Sequence, residues 1–291
     1  MAEVERMLEG RRAIVTGASR GIGAEIATAM ARAGAAVVLA ARDAEALERV
    51  AAQIADTGGR AVPVPTDVSD PAAVQRMVAT AVEELGGLDV AVNNAAGGGH
   101  APTPLADVLE DQFRSALAIS LEGVFLSLKY EIPAMLEMGG GAIVNMASTA
   151  GLDAVAGLAG YVSAKHGLIG LTKVAALDYA AQGIRVNAIA PGPILTERLQ
   201  AAGEEMQHRA GMAMPMRRIG QPAEVAAAAV WLCSDHASFI TGAIIPIDGG
   251  QSAGVKPPQM YRQGQQMTAP PDGVPDHEPS AHGVSTPKEQ R

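Results

Sequence analysis

Ala13-Ile14-Val15-Thr16-Gly17-Ala18-Ser19-Arg20-Gly21-Ile22-Gly23-Ala24 runs from a short apolar stretch through spaced glycines into an Ala-rich stretch. Residues 13–16 read as a buried strand and 24–33 as a helix that stops at Gly34, a natural residue just past a helix end. Gly17, Gly21 and Gly23 then fall between strand and helix, where backbone N–H groups and the positive helix end together favour an anion. A pyrophosphate suits such a place. The spacing is not the G-x-G-x-x-G of the dinucleotide fingerprint, so an ordinary glycine-rich turn is the competing reading here.

The alternation continues outward. Strands are predicted at 36–40, 61–64, 90–93, 142–146, 185–190 and 243–247, and helices at 44–55, 111–136 and 160–181. Gly58-Gly59 stops the first of these helices. Pro71, after the cap candidates Ser69 and Asp70, marks another helix start. Pro133 is expected to bend or end the helix at 111–136. Such βαβ order predicts an α/β protein, a Rossmann-type doubly wound and mostly parallel sheet with helices on both faces. It occupies residues 1–250 as one catalytic domain. Residues 251–291 are rich in Pro, Gly and Gln with almost no apolar pattern, which predicts a flexible tail. The alternative has 255–261 packing on a neighbouring subunit.

The bulk numbers narrow the function classes. The 291 residues can bury a large core, and 48% hydrophobic content with only 3% aromatic means that aliphatic side chains fill it. A net charge of −9 with scattered Lys and Arg argues against binding nucleic acid. Cys233 is the only cysteine, so no intrachain disulfide can form and a reducing compartment is expected. Residues 1–6 show no signal-peptide core, and no apolar run approaches the ~18 residues of a membrane span. The histidines show no metal-ligand spacing. A soluble, cytoplasmic protein is expected, with no metal and no nucleic-acid or membrane partner.

The chemistry lies in Tyr161-Val162-Ser163-Ala164-Lys165, with Ser148 upstream. Positions i and i+4 share a helix face, so the Lys165 ammonium can lie beside the Tyr161 phenol and favour the phenolate. That makes a poised proton donor and acceptor next to a nucleotide site, which points to dehydrogenase chemistry. At the end of the second strand Ala41 stands where NAD-selective folds carry an acid, and Arg42 follows; with Arg20 it favours a 2′-phosphate, hence NADP over NAD. The competing reading makes Arg42 a solvated helix-start residue.

Taken in order, Thr16-Gly-x-x-x-Gly-x-Gly23, Asp67-Val68, Asn93-Asn94-Ala95, Ser148, Tyr161-x-x-x-Lys165, Pro191-Gly192-x-x-x-Thr196 and Asp248-Gly249-Gly250 resemble the short-chain dehydrogenase/reductase family over residues 8–250. The resemblance implies an enzyme in which Tyr161 is general acid for carbonyl reduction and base for alcohol oxidation. Ser148 bonds the substrate oxygen, and Lys165 lowers the Tyr161 pKa and holds the nicotinamide ribose. It places Gly17, Ser19, Arg20, Gly21, Ile22 and Gly23 at the cofactor, with Asp67 and Val68 at the adenine and Asn93 and Ala95 on the adenosine side. Pro191, Gly192, Ile194 and Thr196 fall at the nicotinamide end. Two departures stand out. Ala96 replaces the family's glycine before Gly97, Gly98 and Gly99, and Ser120 stands where the family carries an Asn that supports a helix kink and a proton-relay water. Ser120 is taken as the relay substitute. The family also implies a homotetramer built on the helices at 111–136 and 160–181.

The expected function is therefore NADP(H)-dependent interconversion of a small-molecule carbonyl and a secondary alcohol. The alternatives are a 3-oxoacyl-thioester reductase of the same family and a catalytically weak nucleotide-binding protein. Met206, Met212, Met214 and Met216 form either a plastic lid over the substrate or plain apolar filling. His100 is expected to be a solvated loop residue, with the substrate mouth as the alternative, and His166 to be structural.

Overall fold

The computed structural model describes residues 6–254; the tail reading for 255–291, and with it the packing of 255–261, lies outside the described residues. The strands are β1 (Arg12–Thr16), β2 (Ala36–Ala41), β3 (Arg60–Pro65), β4 (Val90–Asn93), β5 (Gly141–Met146), β6 (Ile184–Pro191) and β7 (Ile244–Ile247). They form one sheet in the order β3-β2-β1-β4-β5-β6-β7, and every neighbouring pair is parallel. The helices are α1 (Gly21–Arg32), α2 (Ala44–Asp56), α3 (Pro71–Leu85), α4 (Glu110–Leu117), α5 (Gly123–Glu137), α6 (Ala159–Tyr179), α7 (Glu197–Ala201), α8 (Glu204–Met212) and α9 (Pro222–Cys233).

Alternation along β1 shows how the layers form. Ala13 and Val15 join a cluster with Ile26 and Met30 of α1, Leu47 and Ile54 of α2, and Val225 and Ala229 of α9. Ile14 points the other way, into a cluster with Val74 and Met77 of α3, Val124 and Ile132 of α5, and Leu168 of α6. Both faces of the sheet are thus covered, as a parallel sheet requires. The chain leaves β1 for β2 and β3, then returns to β4 on the other side of β1. Ligands of such sheets lie at this switch point, beyond the carboxyl ends of the strands.

At the opposite end of β1, Arg12 N and Nε donate to Asp89 Oδ2 at 2.9 and 2.7 Å, and Nη2 to Oδ1 at 2.8 Å. This pair pins β1 to the start of β4. The α3 start settles on Asp70 as the cap, which accepts from Ala72 N at 2.9 Å with Pro71 behind it.

Two helical readings need correction. The single helix expected at 111–136 is α4 and α5 joined by one π-helical turn, Ala118–Glu122. The irregularity therefore sits around Ser120, and α5 runs past Pro133 to Glu137. The second correction is α9, which the apolar pattern does not reveal. Its run has too little polar contrast to show a helical face, although Pro222 and the back-bond from Gln221 N to Glu224 Oε2 at 2.8 Å form an ordinary helix start. The short helices α7 and α8 are likewise absent from the sequence reading.

Candidate active site

Gly17 turns the chain out of β1 with φ +68°, and Gly21 opens α1 with φ +56°. A Cβ on Gly17 would lie 2.7 Å from Asn94 Nδ2, and one on Gly23 would strike the Gly17 carbonyl oxygen. Only glycine lets α1 begin so close to the strand. Asn94 closes the arrangement from β4: its N and that of Ala95 each donate to Thr16 Oγ1 at 3.0 Å, and its Nδ2 donates to Thr16 O at 2.9 Å. Asn94 lies within the motif, and its tie to Thr16 is one that a residue-by-residue reading passes over. Around the loop Ser19 and Ile22 are half-buried and Arg20 is exposed.

This cradle fits the diphosphate of a dinucleotide. Its helix end already meets an anion: Gly21 N donates to the Glu197 carboxylate at 3.1 Å. Further along the sheet edge, Arg42 follows β2 and is exposed. Asp67 lies close enough to feel it. The Asp67 carboxyl is held below its usual range, first by the Ser69 hydroxyl at 2.7 Å and the Ser69 N–H at 2.9 Å, and also by the Arg42 charge. Val68 packs against Gly123, where a Cβ would come within 2.8 Å of Val68 Cγ2.

Asn93 departs from its expected place. Its side chain is buried, and Nδ2 donates to Glu131 Oε2 at 3.0 Å and to Asn145 Oδ1 at 3.1 Å. The amide thus turns into the core, leaving only the backbone for any adenosine contact. Burial pushes Glu131 up to about 7, with the Asn93 bond pulling weakly the other way.

Ser148, Tyr161 and Lys165 gather at the carboxyl end of β5. Ser148 follows β5 in extended conformation, and its Oγ accepts from Ala150 N at 3.1 Å. Tyr161 and Lys165 lie one turn apart near the amino end of α6. Lys165 is 1% exposed; its Nζ donates to Met146 O at 2.6 Å and lies 5.7 Å from the Tyr161 ring centroid.

The electrostatics here correct the expectation. Tyr161 has a pKa above its ordinary value, because burial outweighs the Ser148 hydrogen bond and the Arg198 charge. Burial lowers Lys165 to about 8. The ammonium meets a carbonyl and the ring face, and burial of the phenol outweighs what favours its ionisation. The phenol therefore keeps its proton at neutral pH.

Ser120 is fully buried in the π turn. Its Oγ donates to Gly97 O at 3.3 Å and accepts from Gly97 N at 3.5 Å, tying the bend to the loop after β4. The shifted glycines serve that loop: Gly98 and Gly99 have φ +70° and +87°, and a Cβ on Gly98 would come within 2.5 Å of Ser115 O. Ala96 is exposed.

At the far end Pro191 closes β6, and Gly192 N donates to Ile247 O at 3.1 Å. Ile194 pairs with Gly220, and Thr196 leads into α7. Asp248 anchors the last turn by accepting from Gly250 N at 2.9 Å and from Ser252 Oγ at 2.6 Å. Of the methionines, Met214 is buried while Met206 and Met216 are exposed. Met214 and Met216 border a cavity of about 330 Å³ between Pro193 and Gly249. His100 is half-buried, with Nδ1 2.8 Å from Ala101 O and its buried Nε2 without a partner among the described residues. His166 Nδ1 lies 2.9 Å from Val162 O within α6. Among the described residues no helix is long and apolar enough to cross a membrane, and no cluster of three His, Cys, Asp or Glu could hold a metal.

Comparison with known proteins agrees with this fold. A family profile described as "Enoyl-(Acyl carrier protein) reductase" matches residues 17–252. The 2,5-dichloro-2,5-cyclohexadiene-1,4-diol dehydrogenase of Sphingobium indicum is 44% identical over 253 residues, covering 84% of this chain and 98% of that protein. Cyclohexanol dehydrogenase of an Acinetobacter species is 41% identical over 241 residues, covering 83% of this chain and 94% of that one. Among solved structures, 7α-hydroxysteroid dehydrogenase complexed with NADH and 7-oxo glycochenodeoxycholic acid superposes with a TM-score of 0.80 at 36% identity, covering 86% of this chain and 97% of that one. The chain belongs to the short-chain dehydrogenase/reductase family, the oxidoreductases that interconvert secondary alcohols and carbonyls.

Proposed function

We propose that the protein is an NADP(H)-dependent oxidoreductase acting on the secondary alcohol or ketone of a small carbocyclic compound, with Tyr161 as its general acid and base. The observation that carries the reading is the meeting of Tyr161, Ser148 and Lys165 at the carboxyl end of β5, on the same edge of the parallel sheet as the glycine cradle. A nicotinamide cofactor bound at that cradle would supply or accept the hydride.

The protein's own residues handle the proton. In reduction Tyr161 donates its phenolic hydrogen to the carbonyl oxygen, and the Ser148 hydroxyl donates a hydrogen bond to the same oxygen. In oxidation the Tyr161 phenolate takes the alcohol proton, a form that burial makes scarce at neutral pH. Oxidation should therefore speed up as pH rises, while reduction is already served at pH 7. Lys165, fixed on Met146 O, orders the end of β5 against α6. Ser120 connects the helix bend to the loop below the site and is proposed as the relay position.

The choice of NADP is supported by exposed Arg42 and by the absence of an acid at Ala41. The carbocyclic substrate is supported by the names of the two dehydrogenase relatives. Exposed Phe125 on α5 and Val174 and Leu177 on α6 support a homotetramer built on those helices, which light scattering would check. The buried, single Cys233 suits a cytoplasmic setting. The profile's description keeps an acyl-thioester substrate as a second reading. Assaying cyclic ketones, cyclic alcohols and a 3-oxoacyl thioester with both cofactors separates these: turnover confined to the thioester would overturn the carbocycle proposal, and turnover with NADH alone would overturn the NADP proposal.

A further inference from the structure

Glu197 and Gly21 are 176 positions apart in sequence, yet the Gly21 N–H points at Glu197 Oε1 from 3.1 Å. The second carboxylate oxygen lies 3.2 Å from where a Gly21 Cβ would be, so the whole group sits on the amino end of α1. That helix has 12 residues, no acid in its first turn, and no side-chain cap from Arg20. An anion from across the cleft satisfies what the helix itself leaves unsatisfied. Glu197 opens α7, in an exposed segment anchored at its base where Leu195 N donates to Gly220 O at 2.9 Å and Gly220 N to Pro193 O at 2.9 Å.

We propose that Glu197 is a tethered competitor for the phosphate-binding end of α1: it holds α7 against the glycine loop until a dinucleotide's diphosphate takes its place. The proposal rests on reading the glycine loop as a nucleotide cradle. Glu197 is then a determinant of cofactor affinity and not a catalytic residue. Its tether gives it a high effective concentration at Gly21, which raises the apparent dissociation constant of any phosphate ligand. Displacement also moves Arg198, the next residue, whose charge acts on the Tyr161 phenol. Cofactor binding and the environment of the proton donor are coupled through one short helix.

Glu197→Gln keeps a hydrogen-bond acceptor and removes the charge, while Glu197→Ala removes both. NADPH and ADP affinities would be measured by calorimetry for the unmodified protein and both variants, adenosine affinity by NMR titration, and the melting of each cofactor-free protein alongside. The Gln variant should bind NADPH and ADP about two- to fivefold tighter, from the helix-end attraction alone. The Ala variant should gain at least as much. Adenosine, which lacks phosphate, should bind all three alike, and the cofactor-free variants should melt below the parent. Unchanged or weaker NADPH and ADP binding by the Gln variant, or an equal gain for adenosine, would overturn the proposal. Failure of NADPH and ADP to bind any of the three proteins would overturn the nucleotide-cradle reading and this inference with it.

Discussion

Lys165→Met is expected to yield a protein that is more stable at neutral pH and inactive. Lys165 is 1% exposed, and burial lowers its pKa from 10.5 to about 8. At pH 7 the folded protein therefore carries a buried ammonium at a cost of roughly 3 kcal/mol relative to the unfolded chain. Methionine fills similar space without charge. It also loses the charge-assisted bond to Met146 O at 2.6 Å, which offsets about 1.5–3 kcal/mol of the gain. The balance at pH 7 is a stabilisation of up to about 1.5 kcal/mol, or a melting temperature higher by up to about 6 °C for a domain of this size. Because the folded pKa lies below the unfolded one, the cost is complete below pH 8 and is relieved as pH rises toward 10.5. The parent should therefore gain on the variant across that window and overtake it near the top, where only the lost hydrogen bond counts. Calorimetric melting of both proteins at fixed concentration, from about pH 6.5 to the unfolded lysine pKa of 10.5, measures this. Parallel profiles, or a variant less stable at pH 7, would refute the argument that burial of the charge dominates.

Other expectations are simpler to read. Ser120→Ala should slow turnover and alter the pH–rate profile by cutting the tie to Gly97, while Ser120→Asn should be tolerated; three identical profiles would remove residue 120 from any relay. Arg42→Ala should weaken NADPH by about ten- to a hundredfold, with little change for NADH, because a charge-assisted bond to a 2′-phosphate is worth about 1.5–3 kcal/mol. Calorimetry with both cofactors decides it, and equal losses would end the NADP assignment. Asp89→Asn should cost about 2–3 kcal/mol in urea denaturation at pH 7 by breaking the fork around Arg12. Burial pushes the Asp89 carboxyl up, and the hydrogen bonds and charge of Arg12 more than reverse this, leaving it below its ordinary value. The stability this pair adds is present above the ordinary carboxyl value of 3.8 and fades as pH falls below it, so the Asn variant should show a flatter acid limb.

Much of this fold is legible in the sequence because local chemistry and topology agree. Gly17, Gly21 and Gly23 each serve a backbone need that no other residue meets, and the short apolar runs have nowhere to go but the sheet. Tyr161 and Lys165 are legible because helix geometry makes i and i+4 neighbours. What escapes depends on partners far away in sequence. Nothing near Lys165 announces that its ammonium meets a carbonyl at the end of β5, or that burial holds the Tyr161 phenol above its ordinary value. Asn93 reads as a cofactor residue until the core supplies Glu131 and Asn145 as partners. Pro133 is the visible helix breaker, whereas the π turn at Ser120 follows from packing against the Gly97 loop. Glu197 carries no signal at all, since its contact spans the cleft.

The central claim, that Tyr161 gives and takes the proton in a nucleotide-dependent carbonyl–alcohol interconversion, is tested most directly by Tyr161→Phe. Single-turnover reduction of a cyclic ketone would be followed by NADPH absorbance, with NADPH affinity measured separately on the same variant. The account predicts nearly unchanged affinity and a loss of about 10²–10⁴-fold in the rate of reduction. A Phe variant that reduces the ketone at the parent's rate would contradict it.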